Sequence, residues 1–384
     1  MAGDGYPAIS DYAFLSDCHS LALVGRDASV EWACFHRFDS SPVFARILDR
    51  DRGGYFRIAP SGDHRVTRRY LPHTNVLETR FETATGAADH LEGYRGSRPV
   101  RIGNGAWNQF QLDIYGELLA AAWFVMQQHG WRPRAKGRFA FIRDVVELNI
   151  QRWREPDEGI WEVRGGRRDF VFSKLMAWLC GDCGLRILDL VPDSAADTGL
   201  RARWEQARAE IRTSLESRGV DPETGAFLQA YEHDALDASA LQVGLRGFLP
   251  FDDPRVLATI DRVEAELARN GHVHRYLSDD GLAGDEGSFV FCTLWLVSAL
   301  ARAGRVEAAE AYLARVLDCA SDLGLLAEEI DPDTGEQLGN FPQGFSHLGV
   351  IAAVLNLEFA RDHAAGAASV GSPVTVGTAG RTDP

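Results

Sequence analysis

With 384 residues, 45% of them apolar, the chain is long enough for two domains, or for one large helical array with a smaller module ahead of it. A formal charge of −15 excludes a phosphate-backbone partner, which needs a basic surface, so no nucleic acid is expected. No run approaches the roughly 18 apolar residues of a membrane span, and the N-terminus MAGDGYPAISDYAFLSD lacks a basic-then-apolar leader pattern, so the expected compartment is cytoplasmic.

Residues 1–86 read as β structure. SLALVG and SVEWACF alternate apolar with small or polar residues on either side of RDA, the pattern of a hairpin. GGYFRIAP, RVTRRYL and NVLETRFETAT follow at short intervals, separated by Pro, Gly, Asp and Asn, so a small antiparallel sheet is expected. From residue 105 the period changes from two to about 3.6, and helices succeed one another to residue 364. About nine segments carry that period, from WNQFQLDIYGELLAAAWFVMQQHG through FVFSKLMAWLCGDCGLRILDLV, DASALQVGLRGFL, PRVLATIDRVEAELARNG and GSFVFCTLWLVSALARAG to QGFSHLGVIAAVLNLEFARDHA. Some are apolar nearly all round and others carry one stripe, which predicts buried inner helices alternating with outer ones around a cavity rimmed by the connecting loops. Six scattered cysteines, including the Cys180-Gly-Asp-Cys183 pair, read as reduced, buried thiols. The tail, residues 365–384, is low in large apolar residues and is expected to be disordered. The expected division is therefore 1–86, 87–364 and 365–384.

Two connecting loops are rich in acids. EPDEGIWEVRG, residues 155–165, joins a helix ending near Arg154 to one starting near Asp169, and GLLAEEIDPDTGEQLGNFPQGFSH lies far downstream between two more helices. In the first, Glu162 directly follows Trp161; a carboxyl group held where an indole excludes water tends to keep its proton, which suits a proton donor. Two carboxyl groups on opposite sides of a pocket are what glycoside hydrolysis requires, one protonating the leaving oxygen and the other activating water. By residue type alone these acids read first as those of solvated loops. No His, Asp or Cys cluster has metal-ligand spacing and no glycine-rich loop follows a strand to cradle phosphate, so neither a metal nor a cofactor is expected.

Several separated motifs, in order, resemble glycoside hydrolase family 15, the glucoamylase and bacterial trehalase family. They are HLEGYRGSRPVRIGN with QFQLDIYGE (90–117), EPDEGIWEVRG, DALDASAL, RYLSDDG with EGSFVFCTLWLV, and GLLAEE with GNFPQGFSH. SLALVGRDASVEWACFHRFDSSPVFARILD is similar to the start of the β domain of bacterial members. The resemblance implies an (α/α) toroid preceded by a truncated β-sandwich-like module. It also implies hydrolysis, with inversion, of a terminal α-glucosidic bond in trehalose, maltose or a maltooligosaccharide. Glu162 matches the general acid and Glu328 the general base, while the neighbouring Glu329 need not ionise. Arg98, Arg101 and Arg275 match arginines that hold sugar hydroxyls, a task suited to a fixed fork of N–H donors. Trp161, Phe341 and Gln343 complete the expected sugar-contacting set. By residue type alone Trp161 reads equally as a packing residue, and His347, at the start of a helix, as a structural hydrogen-bonding one.

The same resemblance marks a departure. Family members are longer, with a large β domain and a closed ring of six helical hairpins, whereas here FETATGAADHLEGYRG runs from β structure almost directly into the rim loop. What is missing at that point is the rest of the β domain and the first few helices, with a Trp-x-Arg-Asp-Ala motif that serves the buried sugar; GRDAS at 25–29 belongs to the β hairpin instead. An incomplete ring leaves apolar helix faces to be covered by the small sheet, by a second copy of the chain in a homo-oligomer, or by rearrangement. It also removes hydrogen bonds to sugar, each charge-assisted one being worth about 1.5–3 kcal/mol. Two readings follow: a hydrolase weakened by the gap, or a homologue that binds glucan or trehalose with little or no turnover. A disaccharide phosphorylase on a similar scaffold would need a phosphate site that the sequence does not show.

Overall fold

The period-two stretches at the start of the chain become an antiparallel sheet. In the computed structural model, residues 6–17, 19–35, 37–60, 63–71, 74, 76–83, 106–130, 136–191, 199–278 and 286–364 are described. Strands β1 (Ala13–Ser16), β2 (Leu21–Val24), β3 (Ser29–Cys34) and β4 (Phe44–Ala45) pair in that order, and β5 (Phe56–Arg57) also pairs with β3. The expected hairpin is β2–β3, closed where Gly25 N donates to Ser29 O at 2.8 Å. The next two period-two stretches, β6 (His64–Tyr70) and β7 (Leu77–Thr83), form a separate ribbon, tied to β1 by the Tyr70 hydroxyl, which donates to Phe14 O and accepts from Phe14 N. This unit buries Ala13, Val24, Ala33 and Cys34 together with Glu31, whose carboxylate is held by Arg46 and Arg50, while Phe14, Phe35, Phe38 and Leu48 stay exposed.

The chain divides into two compact units, Met1–Gly105 and Ala106–Pro384. The boundary expected at 86/87 falls among residues 84–105, which lie outside the described residues, as do Arg98, Arg101 and the 365–384 tail.

Among the described residues of the second unit, the 3.6-period segments become α1 (Asp113–His129), α2 (Lys136–Arg152), α3 (Val171–Leu188), α4 (Leu200–Arg218), α5 (Gln242–Leu245), α6 (Pro254–Arg262), α7 (Val290–Arg302), α8 (Val306–Asp318) and α9 (Gly344–Ala364). Two of the segments become inner helices. In α3 every residue but Arg186 is buried, and in α7 every residue but Phe291, Trp295 and Arg302. Helices α1, α2 and α4 pack around α3, and α8 and α9 pack around α7. The α1–α3 contact is backbone to backbone: a Cβ at Gly116 would sit 2.3 Å from Met176 O, so only glycine fits there.

Two segments expected to be single helices are interrupted, each for a local reason. DASALQVGLRGFL becomes a 3-10 turn (Ala238–Leu241) and the one-turn α5, because Gly244 packs tightly on Phe251 and Gly247 takes a φ of 69° that ends the helix. PRVLATIDRVEAELARNG runs from α6 into a π turn (Val263–Leu267) and then a hairpin of β8 (Ala268–Arg269) and β9 (His272–Val273). Its Asn270-Gly271, with φ of 51° and 84°, makes a hairpin turn rather than a helix cap.

Helices α1 and α9, the first and last described, each leave an apolar face open: Ile114, Leu118 and Val125 on α1, and Phe345, Leu348, Ile351 and Leu355 on α9. Spacing of three to four residues makes these stripes rather than scattered side chains. Leu348→Glu and Ile351→Glu should therefore reduce binding of a hydrophobic fluorescent dye while moving the melting temperature by no more than ~2 °C, as expected of surface substitutions. Unchanged dye binding would mean that the α9 face is covered in solution.

Candidate active site

The loops entering at the N-terminal ends of α1, α3 and α7 are stitched to their neighbours. Phe110 N and Leu112 N, just ahead of α1, donate to the carboxylates of Glu158 and Asp157 at 2.8 and 3.0 Å. Val171 N donates to Gln229 O, and Tyr231 N to Asp169 O, both at 2.9 Å. Ala238 N donates to Arg275 O at 2.8 Å and Val290 N to Glu328 O at 3.0 Å. A small sheet of β10 (Ser288–Phe289), β11 (Glu329–Ile330) and β12 (Gln337–Leu338) completes the connection. The two acid-rich loops, far apart in sequence, therefore lie on one continuous rim.

Glu162 takes a left-handed backbone with φ of 53°, a region that costs a non-glycine residue free energy and is kept only where surroundings enforce it. Here the Gln109 amide donates to Glu162 O and Val163 O at 3.3 and 3.2 Å, and Glu162 N donates to Gly159 O at 3.3 Å. Trp161 turns inward: it is 8% exposed and its Nε1 donates to Asp237 Oδ2 at 2.8 Å. Its ring stacks on Phe291 at 5.6 Å between centroids, with Tyr276, Phe289 and Trp295 around it. The indole thus helps to shut water away from Asp237, whose carboxyl is pushed up by burial against the opposing hydrogen bonds of Ser239, Trp161 and Gln229.

Glu328 is half-buried and held by donors: Asn340 Nδ2 and N reach its Oε2 at 2.8 and 3.2 Å, and Gln343 Nε2 reaches Oε1 at 3.3 Å. A Cβ at Gly339 would stand 2.9 Å from that Oε2, so a glycine is what lets the loop fold over the carboxylate. The next residue, Glu329, accepts from Gly287 N at 3.2 Å, and its carboxyl is pushed up to about 7 by burial, then by the neighbouring Glu286 and Glu328. Arg275 is 6% exposed and forms a two-pronged pair with Glu286, Nε to Oε2 at 2.6 Å and Nη2 to Oε1 at 2.5 Å. Its guanidinium lies over the Tyr276 and Phe289 rings at 4.7 and 5.1 Å.

Of the expected set, Glu328, Gln343 and Arg275 gather around the β10–β11 ladder. The neighbour of Glu162, Trp161, packs on Phe289, the ladder partner of Glu329. Phe341 stands exposed on the rim, and His347 Nε2 accepts from Leu326 N at 3.2 Å, a structural bond. Sequence reasoning missed Asp157, Asp237, Glu286 and Asn340, and also Phe291 and Trp295. These two half-buried rings, one turn apart on α7 between Trp161 and Phe345, offer aromatic surface of the kind sugar faces pack on. Their i, i+4 spacing was the available signal.

Residues 74–355 match the family model of glycosyl hydrolases family 15, and residues 1–100 that of a trehalase-like N-terminal domain. A trehalase of Mycolicibacterium smegmatis is 44% identical over 343 residues, covering 88% of this chain and 50% of the relative. A trehalase of Thermoplasma acidophilum is 40% identical over 272 residues, covering 70% and 45%. The chain thus spans about half the length of the curated relatives it matches. Among solved structures, a glycosidase variant in complex with glucose shares the fold with a TM-score of 0.56 at 23% identity over 70% of each chain. A bacterial glucoamylase complexed with acarbose does so with a TM-score of 0.55 at 14% identity, over 66% of this chain and 41% of that one. The helical unit is thus an (α/α) toroid of the glucoamylase type, incomplete among the described residues.

The Glu329 carboxyl makes a stability prediction. Its folded value of about 7 stands above the ordinary 4.5, so the folded chain holds a proton that the unfolded chain releases. Its contribution to stability is full below about pH 4.5 and is lost as pH rises through about 7. Glu329→Gln, which cannot ionise, should flatten the decline of melting temperature across that window. Parallel curves for the two proteins would show that Glu329 ionises in the folded chain as it does in water.

Proposed function

This chain belongs to glycosyl hydrolases family 15, and on that premise we propose that it hydrolyses a terminal α-glucosidic bond with inversion, trehalose being its preferred substrate. In this reading Glu162 gives its proton to the leaving oxygen, and Glu328 takes a proton from the water that attacks the anomeric carbon from the opposite face. Inversion asks for carboxyl groups about 6.5–9.5 Å apart, so that water fits between base and sugar. The observation that carries the reading is the shared rim: the two glutamates of the matching motifs stand on loops stitched into one edge. One is held in a strained backbone and the other is fixed by three donors. Strain of that kind costs about 1–3 kcal/mol and collects at functional sites. The donors on Glu328 fix the place of its carboxyl group on the rim. Arg275, oriented by Glu286, and the Phe291 and Trp295 rings are the sugar-holding groups on the described part of the rim, with Arg98, Arg101, Phe341 and Gln343 completing the set.

The preference for trehalose rests on the curated relatives, which are trehalases, and on the trehalase-like N-terminal match. The apolar faces that α1 and α9 expose among the described residues, with the internal gap expected after FETATGAADHLEGYRG, support a cavity with fewer walls, in which sugar is held loosely and turned over slowly. A homologue that binds trehalose without cleaving it is the second reading, favoured by the same open faces.

Glucose release from trehalose, maltose and soluble starch by the purified chain separates the two. Trehalose should be cleaved fastest, and Glu162→Gln and Glu328→Gln should each lower kcat about 10²–10⁴-fold. Glu162→Asn should lose turnover while melting no lower than wild type, because asparagine tolerates the left-handed backbone. Trehalose binding by calorimetry without glucose release would establish the second reading, and release unaffected by either glutamine variant would displace both glutamates from their roles.

A further inference from the structure

Of forty basic side chains in this protein only Lys136 and Lys174 are lysines. Lys174 is 1% exposed, in the first turn of α3. A buried ammonium needs an acceptor for each of its three protons, and this one has them: Trp153 O at 2.7 Å, Glu155 O at 2.8 Å and Asp169 Oδ1 at 2.8 Å. Two carbonyl oxygens from one stretch and a carboxylate oxygen from another suit a compact ammonium better than a planar guanidinium. Burial lowers the Lys174 pKa while Asp169 and Asp157 hold it up, so the charge depends on these partners.

The partners lie at the two ends of one segment. Trp153 and Glu155 follow the C-terminal end of α2, Asp169 precedes α3, and Glu162 is the tip between them. Inside this neck, Asp157 and Arg168 exchange backbone bonds at 3.0 and 2.9 Å, and the Asp157 carboxylate accepts from Ser173, the residue before Lys174, at 2.8 Å. We infer that Lys174 is a positioning residue for Glu162, closing the neck of the loop so that the carboxyl group is delivered at one place on the rim. This rests on the reading of Glu162 as the acid.

The test compares two substrates of the full chain carrying Lys174→Met or the milder Asp169→Asn. Trehalose needs its leaving sugar protonated; α-glucosyl fluoride releases fluoride with little help from an acid. Displacing the acid should lower kcat on trehalose about 10²-fold for Lys174→Met, with KM within about 3-fold and glucosyl fluoride turnover within about 5-fold. Equal losses on both substrates would make Lys174 merely structural and overturn the inference. Glu162→Gln, measured alongside, must show the same split; if it does not, it is the acid assignment that fails. Amide hydrogen exchange then decides the fate of the neck, as it does if the variants fold poorly or turnover is too low to read. Both variants should speed exchange at residues 158–165 about tenfold or more while leaving α7 unchanged. Unchanged exchange in the loop, or an equal rise in α7, overturns the inference.

Discussion

Burial of α3 and α7 on nearly every side is the constraint from which the rest follows. The loops at their N-terminal ends must satisfy one another's backbone, because a buried polar group left without a partner is costly. The bonds from Phe110 to Glu158, Val171 to Gln229, Ala238 to Arg275 and Val290 to Glu328 are the consequence. They make one edge from segments spread over more than two hundred residues, and they bring the two acid-rich loops together.

That edge is built with buried charge. Asp157, Asp237, Lys174 and Arg275 are all shielded from water and all partnered. Buried ionic contacts are poor sources of net stability, because desolvation opposes the attraction, yet removing one partner is costly. Their value here is geometric. Lys174 ties loop ends, Asp237 takes the Trp161 indole out of the rim, and Glu286 aims Arg275. The result holds Glu162 in a backbone conformation that it would not choose in isolation.

Much of this was legible in the sequence, because hydrophobic period is a local signal. The switch from period two to period 3.6, buried inner helices and the hairpin β2–β3 were expected and found. Other features depend on partners distant in sequence. The partners of Lys174 do not show in FVFSKLMAW, since two of its three acceptors are carbonyl groups of a kind that any residue carries. Asp237 was part of a recognised motif, but its bond to Trp161 spans 76 positions. Trp161 was expected against sugar and is packed in the core instead. Asn270-Gly271 reads equally as a helix cap and as a hairpin turn until the π turn ahead of it is seen.

The central claim is that two carboxyl groups across one rim act on opposite faces of a sugar. The stereochemistry of the first product reads this directly. Proton magnetic resonance of the earliest glucose released from an α-glucosyl substrate with one reducing product, such as α-glucosyl fluoride, should show the β-anomer, which then mutarotates toward equilibrium. An initial α-anomer would mean retention, with a carboxylate attacking carbon instead of activating water, and would contradict the account.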